Sequence, residues 1–336
     1  MTLEPIEPEN ALELYLADRE NNVTVSTIRS HRSRLGHLIR WCDDEDITNL
    51  NELTGRLLHQ YRIWRRNEGD LAKATEKTQM DTVRVFIKWL ESIDAVEENL
   101  HRKVLSPTLS GGDNVREDSI ESQRMELILD YLSKFEYASR PHVALKLMWH
   151  TMMRIGAVQS LDLEDYDSEN QSLRIIHRPD SETTLKNQSH GERLIALSEE
   201  VCAVLDDWIE HQRPAVTDDH GRDPLLTTSY GRVATGTLRK DCYQYTRPCI
   251  LSGECPHGRD LDDCEATNDG EESKCPSSLN PHAFRRGGIT HALQNDWPLK
   301  AVSDRANVTK PVLEKHYDVR SEEDKMENRR EHLDSL

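Results

Sequence analysis

The sequence predicts a mainly α protein with a small β-sheet, built from two domains. Residues 8 to about 100 carry apolar side chains at helical spacing in four successive stretches. A proline and a pair of glycines then mark an exposed connection, and beyond it helical stretches surround two short β-rich runs. We therefore expect a helical bundle at 1–102, a linker at 103–119 and an α+β domain at 120–336.

Acidic residues dominate the composition. Asp and Glu number 61 against 43 Lys and Arg, the formal net charge is -18, and Arg outnumbers Lys by 30 to 13. Abundant acids with few aromatics and few lysines are typical of proteins adapted to multimolar salt; an ordinary acidic cytosolic protein is the alternative. Because salt at about 1 M shortens the Debye length to roughly 3 Å, the net charge does not exclude a nucleic-acid partner.

The hydropathy pattern predicts a cytoplasmic protein without a membrane partner. Mean hydropathy is -0.75, and no apolar run approaches the roughly 18 residues of a membrane-spanning helix. The first twenty residues are acidic and lack the basic head and apolar core of a secretory signal.

Three of the four predicted helices of the first domain carry basic runs. The second helix follows Thr24, which can cap it, and its stretch from Thr27 to Trp41 contains several bases and no acid. Solvated faces are the usual explanation for one such run, but three runs in one acid-rich protein favour a surface that follows a phosphate backbone. The residues predicted to contact phosphates there are Arg29, Arg32, Arg34, Arg40, Lys77, Arg84 and Lys88.

The second domain begins with a helical region at 120–158. Arg154 is expected at the end of an apolar helix, where a charge is costly without an anionic partner. Two β-rich runs follow at 172–179 and 192–198, and Lys186 lies in the polar turn between them. A lysine in a turn is often only a solvated charge, so its role depends on its neighbours.

The last part of the chain concentrates bases at a helix start. Asn280 can cap a helix whose first turn contains His282 and Arg285, one turn apart on the same face and beside the positive helix end. A final helix from about 310 to 333 carries Tyr317. Together these groups can bind one phosphate and present a nucleophile to it.

Read in chain order, this Arg, Lys, His-x-x-Arg, Tyr series resembles the tyrosine recombinase, or phage integrase, family. The segments MRIGAVQSLDLEDYD, PHAFRRGGITHAL and VLEKHYD carry the resemblance. It implies a SAM-like core-binding domain followed by a catalytic domain, acting as a site-specific DNA recombinase on double-stranded DNA with inverted-repeat sites. It also implies a homodimer or tetramer on DNA, and the composition suggests a halophilic archaeal member.

The resemblance implies a role for each residue, and the chemistry agrees with these roles. Tyr317 attacks phosphorus and leaves a 3′-phosphotyrosine, which stores the bond energy, so catalysis needs no cofactor. The forked donors of Arg154 and Arg285 suit the charge that develops on the phosphoryl oxygens. Lys186 protonates the leaving 5′-oxygen, and His282 acts as acid/base or donates a hydrogen bond to the phosphate.

Two positions depart from the family pattern. The family usually has a carboxylate three residues after its first arginine, where this chain has Ala157, so support for that arginine must come from elsewhere. The second His or Trp of the family corresponds best to Asn307, ten residues before Tyr317 where nine are expected. Asparagine can donate a hydrogen bond to phosphate but cannot act as an acid. Arg286 is expected to contact the DNA backbone.

A cysteine-rich loop at 242–278 precedes the His282 helix. Cys249, Cys255, Cys264 and Cys275 are candidate zinc ligands, with His257 as a possible substitute. None of the spacings is C-x-x-C, so unliganded thiols stay open as an alternative, and a reducing cytosol disfavours disulfides.

Two other functions stay open from the sequence. Ala157 and Asn307 could mark a catalytically decayed family member that acts as a DNA-binding regulator. A type IB topoisomerase uses the same phosphotyrosine chemistry without a defined DNA site.

Overall fold

The computed structural model describes residues 3–110 and 118–317, together with Met326 and Arg330. The chain divides into two compact units, Met1–Arg116 and Glu117–Leu336, and each is described by itself. Part of the predicted linker, and nearly all of the predicted final helix after Tyr317, lie outside the described residues. Within the described ranges, no helix is long and apolar enough to cross a bilayer.

The first unit is a helical bundle. Thr24 and Thr54 cap two of its helices by accepting hydrogen bonds from backbone N–H groups in the first turn. Its core contains the aromatic ring of Tyr15, which packs edge-on against Phe86 and Trp89 at centroid distances of 5.2 and 5.4 Å. The helices are α1 (Pro8–Arg19), α2 (Val25–Asp44), α3 (Gly55–Glu68) and α4 (Lys73–Ser92).

The second unit is also mainly helical. Its nine described helices pack around one large apolar core and a smaller one near the end of the described chain. They are α5 (Ser122–Phe135), α6 (Arg140–Thr151), α7 (Ile155–Gln159), α8 (Glu199–Asp207), α9 (Thr235–Tyr245), α10 (Pro248–Ser252), α11 (Pro281–Gln294), α12 (Leu299–Ala306) and α13 (Lys310–His316). Helix α8 continues as a π-helical turn over Trp208–Gln212.

Two small antiparallel sheets complete the second unit and confirm the predicted fold class. The two predicted β-rich runs form neighbouring strands, with Leu173 opposite Ile195, in a three-stranded antiparallel sheet. No sequence signal predicted the other sheet, a two-stranded hairpin whose strands are only two residues long. The strands are β1 (Tyr166–Asp167), β2 (Ser172–Ile175), β3 (Arg193–Ala196), β4 (Thr227–Thr228) and β5 (Gly231–Arg232).

The prediction that Arg154 ends an apolar helix is wrong. Helix α6 ends before Met152, whose φ of 55° places it in the left-handed region and breaks the helical path. Arg154 lies after this break as the extended N-cap of the short helix α7. Arg154 is therefore not part of the apolar helix α6.

An ion-pair network fixes the far end of α7. Arg232 donates to the carbonyls of Gln159 and Leu161 at 3.0 Å each, and it shares Asp162 and Asp218 with a second arginine. Burial acts to raise the pKa of Asp218, but hydrogen bonds from backbone N–H groups and from Arg232 outweigh it and lower that pKa to about 2. These charges are thus neutralised within the fold.

Two consecutive glycines let α11 approach α6 closely. A Cβ atom on Gly287 would lie 2.8 Å from the Trp149 ring and would overlap the carbonyl of Ile120. A Cβ on Gly288 would lie 2.6 Å from the Trp149 carbonyl oxygen. Since both neighbours are largely backbone or a packed ring, they cannot move aside at low cost.

We predict that Gly287→Ala destabilises the second unit by roughly 2 kcal/mol, because the added methyl overpacks this helix contact. Gly236→Ala is the matched control: it also lies in a helix, but no atom lies within 4 Å of its Cβ position. That substitution should change stability by less than about 1 kcal/mol. Urea unfolding of the full chain measures both, and equal midpoints for the two variants would contradict the packing argument.

Candidate active site

Tyr317 is held inside the second unit. It caps the C-terminus of α13, where its N–H donates to the Leu313 carbonyl at 2.9 Å, and its own carbonyl accepts from the Thr290 hydroxyl at 3.5 Å. Only 5% of the residue is exposed, and it belongs to the small apolar core that includes Met152 and Ile289. The phenol is therefore fixed against α11 of its own chain.

Two arginines bring positive charge to this phenol. Arg285, on α11, is 1% exposed; its Nη1 donates to the Met152 carbonyl, while Nε and Nη2 have no hydrogen-bond partner among the described residues. Burial, followed by the nearby charge of Arg154, lowers the pKa of Arg285 to about 10, and Tyr317 acts in the opposite direction. Burial also lowers the pKa of Arg154, again with Tyr317 opposing. The phenol thus lies within charge range of both guanidinium groups.

An open cavity of about 630 Å³ gives access to these groups. Arg154 and Tyr317 line it, together with the β2–β3 connection and the residues that follow α12. No described residue forms a hydrogen bond or ion pair with the Arg154 guanidinium, so its donors are available to a ligand. Glu192 and Asp304 also line the cavity, but Glu192 accepts from the His177 N–H and Asp304 pairs with Lys300. The donors of Arg154 are therefore open to an anionic group.

Arg193 is a further cation of the site that the sequence reasoning missed. It lines the same cavity, and burial, then the charges of Arg154 and Arg305, lower its pKa to about 10. Its Nε donates to the Arg305 carbonyl at 2.9 Å and its Nη1 to the Gly191 carbonyl at 2.7 Å. Strand alternation could have revealed it, because Arg193 shares the inward face of β3 with the buried Ile195.

His282 and Lys186 join the same cluster. Asn280 caps α11 by accepting from the His282 N–H at 2.9 Å, as predicted from the sequence. Partial burial, then the charges of Arg285, Arg286, Arg154 and Lys186, lower the pKa of His282 to about 4. Lys186 itself is exposed on the β2–β3 connection. Lys186 lies within charge range of His282.

Arg286 lies close to the nucleophile. Its guanidinium carbon is 5.9 Å from the centre of the Tyr317 ring, within the range of a cation–π contact. Its Nε and Nη1 are buried and have no hydrogen-bond partner in the described part of the chain. The predicted contact with a DNA phosphate is untested, but these two donors are unsatisfied.

Asn307 occupies an unexpected position. It caps α12 with a left-handed φ of 50°, and its side chain contacts the β2–β3 connection through the Asn187 amide and the His190 carbonyl. Val308, at the expected nine residues before Tyr317, is buried and lines the cavity with an apolar side chain. Ala157 is also buried, and no carboxylate among the described residues pairs with Arg154.

Two family models match the chain. The Phage integrase family model covers residues 118–245, and the Phage integrase, N-terminal SAM-like domain model covers residues 12–92. The chain belongs to the tyrosine recombinase family. The first match ends at residue 245, so it includes Arg154 and Lys186 but not His282, Arg285 or Tyr317. The assignment of those three residues therefore rests on their pattern and geometry in this chain.

Individual relatives are distant but cover most of the chain. Tyrosine recombinase XerD of Proteus mirabilis is 22% identical over 284 residues, which are 84% of this chain and 79% of that protein. The Tn1549 transposon integrase in complex with transposon right end DNA has a TM-score of 0.65 at 14% identity, over 98% of this chain and 99% of that chain. A lambda integrase dimer bound to a COC′ core site has a TM-score of 0.63 at 12% identity, over 91% and 75%. Both structures share the recombinase fold.

The cysteine-rich loop does not form a metal site in the described residues. Cys249 lies within charge range of Cys255 and Cys275, and burial raises the pKa of its thiol. No group of three or more His, Cys, Asp or Glu side chains in the described ranges is arranged to hold a metal ion. His257 instead contacts the Ser277 hydroxyl at 2.9 Å. The zinc prediction therefore has no support from the described residues.

The loop is joined to the catalytic helices by backbone contacts. Arg124 of α5 donates to the carbonyls of Thr246 and, at 2.7 Å, Ser277. The Leu279 N–H donates to the Thr246 hydroxyl at 2.8 Å. These bonds fix the segment that leads directly into α11 and so help to place its first turn.

The predicted phosphate contacts of the SAM-like unit fall into three groups. Arg32, Arg40, Lys77 and Arg84 already pair with carboxylates of the same unit. Arg34 donates only to the Thr82 hydroxyl, at 3.2 Å. Arg29 and Lys88 are exposed and form no hydrogen bond or ion pair with the described residues. These last two are the cations most available to an external phosphate.

We predict that His282 stays neutral in the DNA-free protein down to about pH 4. Since its folded pKa lies below the ordinary value of about 6.5, the stability from the neutral ring is complete above that pH. It falls as the pH drops from about 6.5 toward 4. NMR titration of the imidazole resonances measures this, and the His282→Gln variant identifies the signal. A midpoint near 6.5 would contradict the charge environment described above.

Proposed function

We propose that the chain is a site-specific DNA recombinase or integrase that cuts and rejoins DNA through a 3′-phosphotyrosine intermediate. The observation that carries this proposal is the set of buried guanidinium donors without carboxylate partners, around the phenol of Tyr317. Such donors are costly unless an anion occupies the cavity. A DNA phosphodiester supplies that anion, and the family supplies the reaction class.

The proposed cleavage is an exchange of esters. The Tyr317 oxygen attacks phosphorus and forms a P–O bond, while the bond between phosphorus and the 5′-oxygen breaks. The products are a 3′-phosphotyrosine and a strand with a free 5′-hydroxyl. A 5′-hydroxyl from another strand reverses the step and releases the tyrosine. The bond energy is conserved, so the exchange requires no nucleotide cofactor.

The cations stabilise the charge that this step develops. Arg154 and Arg285 can each direct two N–H donors at the non-bridging oxygens of the transition state. Because the site is partly buried, each donor acts in a lower effective dielectric than water and needs little reorganisation. Loss of one such donor typically costs a factor of about 10²–10³ in rate. Arg193 adds further positive charge from β3.

Proton transfer falls to the remaining two groups. Lys186, exposed beside the cavity, donates a proton to the departing 5′-oxygen. His282, with its pKa lowered to about 4, is neutral at pH 7 and can accept a proton or a hydrogen bond. We propose that His282 accepts the phenolic proton of Tyr317. Asn307 was predicted to hydrogen-bond the phosphate, but its amide already has other partners in this structure.

The proposed partner is double-stranded DNA with inverted-repeat sites, bound by a homodimer or tetramer. The lambda integrase structure described above is a dimer on its core site. In this chain, Arg29 and Lys88 of the SAM-like unit are proposed to contact the DNA backbone directly. The predicted cytoplasmic location and adaptation to high salt stay predictions.

We predict that wild-type protein forms a covalent adduct with a nicked duplex and that Tyr317→Phe binds the same duplex without an adduct. In the nicked substrate the short 5′-hydroxyl fragment diffuses away, so the intermediate accumulates. A pool of duplexes of randomised sequence replaces the unknown site, and denaturing gels followed by sequencing identify the captured DNA. Tyr230→Phe, at a 97% exposed position, is the matched control and should keep the adduct.

The outcomes separate the candidate functions. Adduct formation by Tyr317→Phe would refute the assigned nucleophile. Binding without any wild-type adduct would indicate the DNA-binding regulator. Relaxation of supercoiled plasmid without a preferred captured sequence would indicate a type IB topoisomerase.

We also predict that Arg29→Ala lowers the salt dependence of DNA binding. Loss of one phosphate contact should reduce the slope of log K against log salt by about 0.9. Arg84→Ala is the control, since its guanidinium is occupied by Asp81 and the Val104 carbonyl, and Asp81 keeps Lys77 as a partner. Fluorescence anisotropy across a salt series measures both slopes. A larger change for Arg84→Ala than for Arg29→Ala would contradict the assignment.

A further inference from the structure

We propose that Asn307 is a positioning residue that holds the Lys186 loop at the active site, through Asn187 and His190. This inference rests on the proposed function, since it concerns delivery of the proton to the leaving oxygen. It assigns a role to two asparagines that lie on different segments, the β2–β3 connection and the end of α12. The other candidate cations and thiols lack such a direct link to a reacting group.

The Asn307 amide contacts both ends of one short segment. Its Nδ2 donates to the His190 carbonyl at 2.7 Å, and its Oδ1 accepts from the Asn187 Nδ2. Asn187 directly follows Lys186 in the chain. One side chain thus uses its donor and its acceptor to fix four consecutive residues beside the lysine.

The backbone of Asn307 explains why asparagine suits this position. Its φ of 50° lies in the left-handed region, which β-branched and most other side chains avoid and which asparagine tolerates. This conformation ends α12 and allows the amide to reach the loop. Glycine could also adopt it but would leave both loop groups without a partner.

Hydrogen bonds to other elements hold the end of α12, where Asn307 lies. Arg305, two residues earlier, donates to the His150 carbonyl of α6 through Nε at 3.1 Å and Nη2 at 3.0 Å. Arg193 of β3 donates to the Arg305 carbonyl at 2.9 Å. The end of α12 is therefore tied to α6 and to β3, so a bond to Asn307 transmits a defined position to the loop.

The loop needs such support because its own residues are exposed. Residues 186–190 are all exposed, and Lys186 forms no hydrogen bond or ion pair with the described residues. The start of the loop is held where the Leu185 N–H donates to the His177 ring at 3.0 Å. Beyond Leu185, the two hydrogen bonds with the Asn307 side chain connect the loop to the end of α12. Small displacements of a proton donor cost rate steeply.

A sulfur-substituted substrate tests this role. When sulfur replaces the bridging 5′-oxygen, the leaving group departs as a thiolate and needs no proton, because a thiol is far more acidic than an alcohol. Lys186→Ala should therefore be slow on the oxygen substrate and close to wild type on the sulfur substrate. We expect Asn307→Gly and Asn187→Ala to behave in the same way. Each should lose about tenfold or more in single-turnover cleavage of the oxygen substrate. On sulfur they should remain within about threefold of wild type.

Matched variants make the outcomes distinct. Asn307→Gly keeps the left-handed backbone and removes only the amide. Asn295→Ala removes an exposed cap amide of α11 that bonds within its own helix, and it should cleave both substrates like wild type. Arg285→Ala should be slow on both, since its donors act on the phosphoryl oxygens.

Equal loss on both substrates by Asn307→Gly would overturn the inference, because that pattern indicates a phosphate contact or a general structural defect. Unchanged cleavage of the oxygen substrate would overturn it as well. No wild-type adduct on either substrate would instead refute the proposed function on which the inference rests.

Discussion

The structure of the catalytic unit depends on keeping positively charged guanidinium groups partly buried without carboxylates to neutralise them. Arg285 is 1% exposed with two unsatisfied nitrogens, and burial lowers the pKa of Arg154, Arg193 and Arg285 alike. In the absence of an anion, this arrangement costs stability that the surrounding packing must supply. A phosphodiester removes the cost, so the energy stored in desolvated donors becomes available for binding and for the transition state.

The other arginines of the chain show that this lack of partners is specific to the site. Arg178, Arg222 and Arg232 share buried aspartates such as Asp162, and most predicted DNA-binding cations of the first unit also have acidic partners. With 61 acidic residues, carboxylates are abundant. Among the described residues, no carboxylate pairs with Arg154, Arg193 or Arg285, and this separates the cations of the candidate site from structural ones more sharply than net charge does. The unpaired cations also explain how a chain with a net charge of -18 can bind a DNA phosphate, because hydrogen-bond donors at short range determine the strength of that contact.

The sequence could predict the parts of the site that depend on local patterns. The cap at Asn280, the turn that holds His282 and Arg285, and the paired strands around Lys186 follow from short-range rules. The break before Arg154 and the Asn187–Asn307 contact could not be predicted, since both arise from packing between distant segments. The cysteine spacing was only a weak indication of zinc, because without a C-x-x-C pair it does not specify where the thiols point.

In the proposed mechanism, the arginines that stabilise charge lie on helices, whereas the lysine that donates a proton lies on a loop. Arg154 and Arg285 extend from helix termini and interiors that the glycine contact of α11 and the Arg232 network hold in place. Charge stabilisation requires such rigidity, because donors must be aimed before the charge develops. Lys186, the proposed proton donor, instead lies on an exposed loop. Such an exposed loop needs a restraint to keep its lysine in place. The Asn307 amide, at the end of α12, provides this restraint without adding a charge near Lys186. Apolar Val308, where the family has a second donor, is compatible with this division of roles.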